Sequence, residues 1–238
     1  MARRWLDGTF VGRSLWQRVD RDHWQTSELL RRRQITTVAV VVVGAVVLGV
    51  SLRIEPGSVW FYPSSMLLAA VWTVGAFASG PLYLGRIATG TDDHTRRPVL
   101  QPIALGLALG AVFVLGGLLV RPIDPLADQV ANVLQFAIQG SLPILVFITV
   151  VNGIAEELFF RGAAYAAITR HPVVWTTVAY TVATAATGNI MLSFAAAFLG
   201  VVVGLQRRAS GGILAPILTH CTWSLTMFLA LPPLFGLR

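Results

Sequence analysis

Glu156 and Glu157 stand side by side in a chain that is otherwise almost unbrokenly apolar, and Arg161 follows at helical spacing in the string EELFFRG. A carboxylate at the centre of a transmembrane helix costs about 2.5 to 3.5 kcal/mol on insertion scales, so both acids must face protein, water or a cation rather than lipid. Glu157 and Arg161 are at i,i+4 and can pair across one turn, while Thr149, Asn152 and Glu156 share the neighbouring face. In that arrangement Arg161 neutralises Glu157 and leaves Glu156, beside Asn152, to serve as a general base. The plainer alternative is that both acids only tie Arg161 and an adjacent helix together. His220, in ILAPILTHCTWSL, has Ser224 one turn further along the same face. A lone His on an apolar helix is more often a hydrogen-bonded core residue than a ligand. Facing an intramembrane glutamate, however, it suits either a metal site or a carboxylate-activated water with an imidazole donor.

The elements that must position these groups are set by composition. Hydrophobic residues make up 55% of the 238, charged residues 12%, and the mean hydropathy is +0.70. These values exclude an ordinary soluble domain and predict an all-α, polytopic transmembrane helical bundle. All 18 basic residues are Arg, giving a net charge of +7. Arginines clustered beside apolar spans are a membrane-surface pattern, so the expected partner is the lipid bilayer and not nucleic acid. The Arg-only usage points to a GC-rich bacterial genome and hence a bacterial inner membrane. A single cysteine, Cys221, excludes an internal disulfide and a cysteine-based metal site; it reads as a small buried hydrophobe.

Residues 1–34 are rich in Arg and Trp and lack an h-region, so they read as a cytoplasmic segment and not a signal peptide. Trp5, Phe10, Leu15, Trp16, Val19 and Trp24 either lie on a headgroup-level helix that Arg31, Arg32 and Arg33 stop at the membrane edge, or belong to a partly disordered tail. Apolar runs then predict spans near 35–52, 59–84, 100–120, 133–157, 172–188, 190–206 and 212–231, the short fifth and sixth forming either a re-entrant or a tightly turned hairpin around Gly188 and Asn189. Seven spans, or eight if part of the N-terminal segment inserts, are divided into N-terminal helices over 35–128 and a C-terminal transmembrane domain over 129–238. With a cytoplasmic N-terminus and an external C-terminus, only Arg53, Arg121 and Arg238 of the arginines fall outside, as the positive-inside rule requires. In this topology the two acids lie at the cytoplasmic end of the fourth span and His220 about 12 Å into the seventh. Ala196, Gly200 and Gly204 form a small-residue stripe for close helix packing. Asp92, Asp93 and His94 read as a solvated loop ahead of cation chelation.

EELFFRG at 156–162 resembles the EExxxR signature of the CPBP intramembrane proteases. This CAAX-protease and bacteriocin-processing family includes the type II CAAX prenyl endopeptidases and the abortive-infection proteins. GLQRRASGGILAPILTH resembles the family's later block, in which a basic loop, a Gly or Ser turn and a Pro precede a motif histidine. The resemblance covers residues 130–231. It implies glutamate-dependent, often metal-linked peptide-bond hydrolysis of membrane-associated substrates, with zinc as the candidate metal. By position, Glu156 would activate water, Glu157 and Arg161 would support it, and His220 would bind metal or an oxyanion, making Glu156 and His220 the metal-ligand candidates. Two departures stand out. The family's middle motif, Phe followed four residues later by His, is absent from VATAATGNIML, where Asn189 or Thr187 takes the histidine's place; Asn is a poor zinc ligand but can donate a hydrogen bond to an oxyanion. Ser224 replaces the usual Asn after the last histidine. A catalytically silent scaffold or chaperone for partner transmembrane segments is the principal alternative; a proton-coupled transporter is disfavoured because no inverted repeat is visible.

Overall fold

A computed structural model describes residues 9–20, 24–51, 54–55, 57–88 and 94–237. Among the described residues, six helices are long and apolar enough to cross a membrane: α2 (Ser27–Ser51), α3 (Phe61–Ser79), α4 (Leu100–Val120), a continuous unit over Leu142–Ala167, α9 (Ile190–Ser210) and α10 (Leu214–Leu234). α8 (Pro172–Ala185) has 14 residues and is about 21 Å long, too short by itself for a full crossing. It turns at Gly188, whose φ of 74° lies in the left-handed region, and packs antiparallel on α9, Gly200 meeting Thr177 and Gly204 meeting Val173. The expected hairpin is therefore present, with its first arm shorter than a span. Among the described residues the exception to an all-helical chain is a two-residue antiparallel pair, β1 (Ile87–Ala88) with β2 (Thr95–Arg96).

The fourth span is not 133–157. Residues up to Ile138 form a separate helix, α5 (Asp124–Ile138), and the chain breaks before Leu142. Gly140 and Ser141 do not hold a helix there, and Pro143 is tolerated only because a first helical turn needs no internal N–H donor. The unit that follows comprises α6 (Leu142–Glu157), a π-helical stretch (Leu158–Ala164) and the short α7 (Tyr165–Ala167). This shift of frame moves Glu156 and Glu157 from the end of a span to the middle of a 26-residue one.

At the N-terminus, α1 (Phe10–Leu15) is capped by the Thr9 hydroxyl, which accepts from Gly12 N at 3.0 Å. The segment docks on the bundle, Val19 N donating to the Ala209 carbonyl at 3.2 Å. Helix α2 starts at Ser27, so Arg31, Arg32 and Arg33 lie within its first turns and do not precede the span. Trp5, Asp92 and Asp93 lie outside the described residues; His94 stands immediately before β2.

Close backbone approaches fix the bundle. Gly44 of α2 lies against the Trp72 ring and Gly75 of α3 against Val40, so neither position has room for a Cβ. Trp72, Phe159 and Phe160 then form an aromatic core, with ring centroids 4.6 Å apart for Trp72–Phe159 and 5.3 Å for Phe159–Phe160. The residues after α3 are stitched to the start of α10: Ile213 N donates to Tyr83 O at 2.9 Å, Leu214 N to Leu84 O at 3.1 Å, and Arg86 N to Ser210 O at 2.9 Å. These bonds hold the histidine-bearing helix in register with α3.

Asn189 caps α9. Its Oδ1 accepts from Leu192 N at 2.8 Å and its Nδ2 donates to the Gln129 carbonyl at 2.6 Å, tying the α8–α9 turn to α5. Asn189→Ala is expected to lower stability by about 0.5 to 2 kcal/mol, the usual range for losing a cap side chain, as a lower midpoint in a detergent-phase thermal melt. An unchanged midpoint would show the cap to be dispensable.

Candidate active site

The two neighbouring glutamates have opposite surroundings. Glu157 is sealed, with no side-chain exposure, and its Oε1 accepts from Arg161 Nη1 at 3.0 Å and meets His220 Nδ1 at 2.8 Å. A carboxylate oxygen already paired with a guanidinium is an acceptor, so Nδ1 carries the proton. In the neutral imidazole, Nε2 is then left as an acceptor. That atom points to the other acid: His220 Nε2 lies 3.9 Å from Glu156 Oε2. The Glu156 side chain is 24% exposed and borders a cavity of about 200 Å³ that Trp72, Tyr180, Thr184, Thr187 and Trp223 also line.

Helix geometry produces this split. Adjacent residues diverge by about 100° around a helix, so one acid faces the cavity while the next faces inward. Glu157 and Arg161 are four apart and meet on the inward side, where the π-helical stretch begins; single wide turns of this kind recur at functional sites. Arg161 is fully buried and fixed from three directions besides Glu157. Its Nη2 donates to Gly200 O at 3.4 Å, its own carbonyl accepts from Arg207 Nε at 2.6 Å, and its guanidinium carbon sits 4.8 Å from the Tyr180 ring centroid. Gly200, in the small-residue stripe, lets this happen: a Cβ there would lie 3.3 Å from Arg161 Nη2. Arg161 is thus a structural charge inside the bundle, not one of the loop arginines that set topology.

The structure brings Glu156, Glu157, Arg161 and His220 together. Asn152 is elsewhere engaged: its Nδ2 donates to Ile148 O at 3.0 Å, and Thr149 likewise bonds Leu145 O at 2.8 Å, each within its own helix. The group beside Glu156 is instead Tyr180, whose hydroxyl donates to Oε2 at 2.7 Å. Motif reading missed this residue. The available signal was a phenol in the middle of an apolar segment, because a buried tyrosine hydroxyl needs a partner. Asn189, Thr149 and Ser224 line a different, larger and mostly apolar cavity of about 600 Å³, which shares Trp223 and Leu192 with the Glu156 cavity. Cys221 is half-buried and not the buried hydrophobe expected, its Sγ 3.8 Å from Val150 O.

A catalytic zinc needs three protein ligands and an open position. Among the described residues, Glu156 Oε2 and His220 Nε2 come within 3.9 Å of each other, and Oε2 already accepts from Tyr180; Glu157 Oε1 is shared between Arg161 and His220. Among the described residues no group of three or more His, Cys, Asp or Glu side chains is arranged to hold a metal ion. The donor set therefore does not fit a conventional zinc centre.

A buried Glu–Arg–His triad beside a cavity-facing glutamate lies wholly within one stretch of the chain. Residues 138–226 match the Rce1-like family. The model is described as type II CAAX prenyl endopeptidase Rce1-like, and the match agrees with the CPBP resemblance carried by EELFFRG and the His220 block. No curated protein and no solved structure matches the chain. The Rce1-like segment starts at the end of α5 and ends within α10, so it contains every residue of the Glu–Arg–His–Tyr cluster; α2, α3 and α4 lie outside it. The match shows what this segment is similar to, and the apolar helices that surround it make the chain a multi-pass membrane protein.

Proposed function

We propose that the protein is a glutamate-dependent intramembrane endopeptidase of a bacterial inner membrane, acting on membrane-associated peptides through a water held between Glu156 and His220. The observation that supports this reading is the 3.9 Å separation of two acceptors, His220 Nε2 and the cavity-lining Glu156 Oε2. Two groups at that distance are suitably spaced to be bridged by one water, each taking one of its hydrogens. Glu156 removes a proton as the water oxygen attacks the scissile carbonyl carbon. The Tyr180 hydroxyl, released from Glu156 as the carboxyl takes the proton, donates to the developing oxyanion. Glu156 then returns its proton to the leaving amine as the C–N bond breaks. Glu157 and Arg161 act by holding His220 in one tautomer.

Because the donor set is short of a zinc sphere, cleavage of a membrane-embedded peptide library by reconstituted protein is expected to persist in a strong chelator and to fall in Tyr180→Phe by about 10²- to 10³-fold in kcat, the range for one oxyanion donor. Stoichiometric metal analysis accompanies the assay. Cleavage abolished by chelation and restored by zinc would overturn the metal-free reading. No cleavage, together with stable retention of a transmembrane peptide, would replace the enzyme with a scaffold.

The orientation expected is basic end inward. Gln25 and Gln34 bond the Ala166 and Ala167 carbonyls, Arg33 bonds the Pro81 carbonyl and Arg97 the Gly85 carbonyl, so the arginine-bearing segments gather at one end of the bundle. Arg121 closes α4 at the other end. Cytoplasmic reporters fused after Arg97 are expected to be active and those fused after Arg121 silent; the reverse pattern would invert the topology.

A further inference from the structure

A third cavity, of about 830 Å³, opens at the basic end of the bundle, and Glu156 is not among its lining. Trp24, Arg32, Arg33, Tyr83, Tyr165 and Arg207 are among its lining, and no acidic residue is, among the described residues. Two of its three guanidiniums are deeply placed: Arg33 is 3% exposed and Arg207 5%. Arg207 is occupied, its Nε on the Arg161 carbonyl and its guanidinium carbon 4.8 Å from the Tyr165 ring centroid. Arg33 gives one donor, Nη2, to the Pro81 carbonyl at 3.0 Å, out of the five a guanidinium carries. Gly80 makes this placement feasible. Its φ is 135°, and a Cβ there would lie 2.6 Å from Arg33 Nη2 and 3.3 Å from its Cζ, so the guanidinium rests on bare backbone.

Burying a cation with no carboxylate opposite is unfavourable unless an anion joins it. The chemistry of the lining says which anion. A guanidinium fork matches a phosphate in bidentate geometry, and Trp and Tyr side chains settle at the headgroup level of a bilayer. The cavity lies where α2 begins, α3 ends and α9 ends, that is, where the apolar spans give way to basic segments. We propose that this cavity is a binding site for the phosphate of an anionic phospholipid headgroup, held by Arg32 and Arg33 in the field of Arg207. The lipid's acyl chains lie along the exposed apolar faces of α2 and α3, on which Val38, Val42 and Phe77 are 64%, 59% and 62% exposed. The site is independent of whether Glu156 hydrolyses peptides.

The test is lipid retention by the purified protein. The protein is exchanged into neutral detergent with phosphatidylglycerol or phosphatidylcholine, bound lipid is counted by native mass spectrometry, and the melting midpoint is recorded with each. Saturable retention of phosphatidylglycerol with a raised midpoint is expected, because a ligand that binds only the folded state stabilises it. Phosphatidylcholine should give neither. Arg33→Gln and Gly80→Ala, which removes the bare-backbone seat of Arg33, should each weaken retention about tenfold or more, as expected for losing a charge-assisted hydrogen bond. Arg32 is exposed, so Arg32→Gln gives the same reading without disturbing packing, and Arg121→Gln at the other end should change nothing. Inorganic phosphate serves as the competing source. A midpoint shift with millimolar phosphate but none with phosphatidylglycerol, equal retention of both lipids, or undiminished retention in Arg32→Gln and Arg33→Gln would each overturn the proposal. So would protection by a peptide with a free terminal carboxylate in place of the lipid.

Discussion

Arg161→Ala is expected to destabilise the protein by about 3 to 5 kcal/mol, the largest loss of any single substitution in the cluster, because removing one partner of a fully buried ion pair strands the other. Both side chains have zero exposure. The loss propagates. Glu157 Oε1 would keep only His220, while the Gly200 carbonyl would lose the donor that Arg161 Nη2 supplies. Glu157→Gln retains shape and one acceptor, so its cost should be smaller, and the double variant Glu157→Gln/Arg161→Ala should recover part of the difference, since no charge is then left unpaired. Denaturation in a single detergent, followed by tryptophan fluorescence, measures all three. Equal midpoints for wild type and Arg161→Ala would mean that the pair is hydrated and that the sealed interior described for Glu157 is incorrect.

Glu156→Gln is expected to reduce peptide cleavage by about 10²- to 10⁴-fold, the contribution of a positioned general base, with little change in stability. The amide keeps an oxygen for the Tyr180 hydroxyl to donate to, yet it cannot take a proton from water. Stability should hold because Glu156 borders a cavity and has no ion-pair partner closer than the 3.9 Å to His220. The contrast between the two positions is the informative result: at 156 activity is lost and the fold kept, at 161 the fold is weakened first. Full activity in Glu156→Gln would transfer the base role to another group or remove the enzyme reading altogether. An unfolded Glu156→Gln would make that acid structural, and Tyr180→Phe, which deletes only a hydroxyl, would then separate the two roles.

The sequence by itself determined that the chain is a helical membrane bundle, that Glu157 and Arg161 can pair across one turn, and that His220 can reach the acids. Each follows from a rule that acts along the chain: apolar run length sets the spans, the 3.6-residue turn sets the i,i+4 contact, and an imidazole and acids in apolar helices need polar company. The small-residue stripe through Gly200 was legible for the same reason, as a requirement for close approach. Span ends were less so. The break between α5 and α6 at residues 139–141 turns on a local choice between continuing one apolar helix and starting another before Pro143, and apolar periodicity is equally compatible with both.

Only the tertiary structure decided how each acid is enclosed. The i,i+4 spacing already paired Glu157 with Arg161 and set Glu156 apart, but the packing of α10 and α9 against the inward face is what seals Glu157 and leaves Glu156 at a cavity. It also decided that Asn152 turns back to its own helix and that Tyr180, a residue 24 positions away on α8, supplies the hydrogen bond to Glu156. Asn189 likewise took its role from the turn around it, because a side chain at a helix start finds an unsatisfied N–H within reach before it can serve a distant site. Contacts between helices depend on how separate spans rotate and cross, and that information resides in complementary surfaces brought together by folding, not in the order of residues along any one of them.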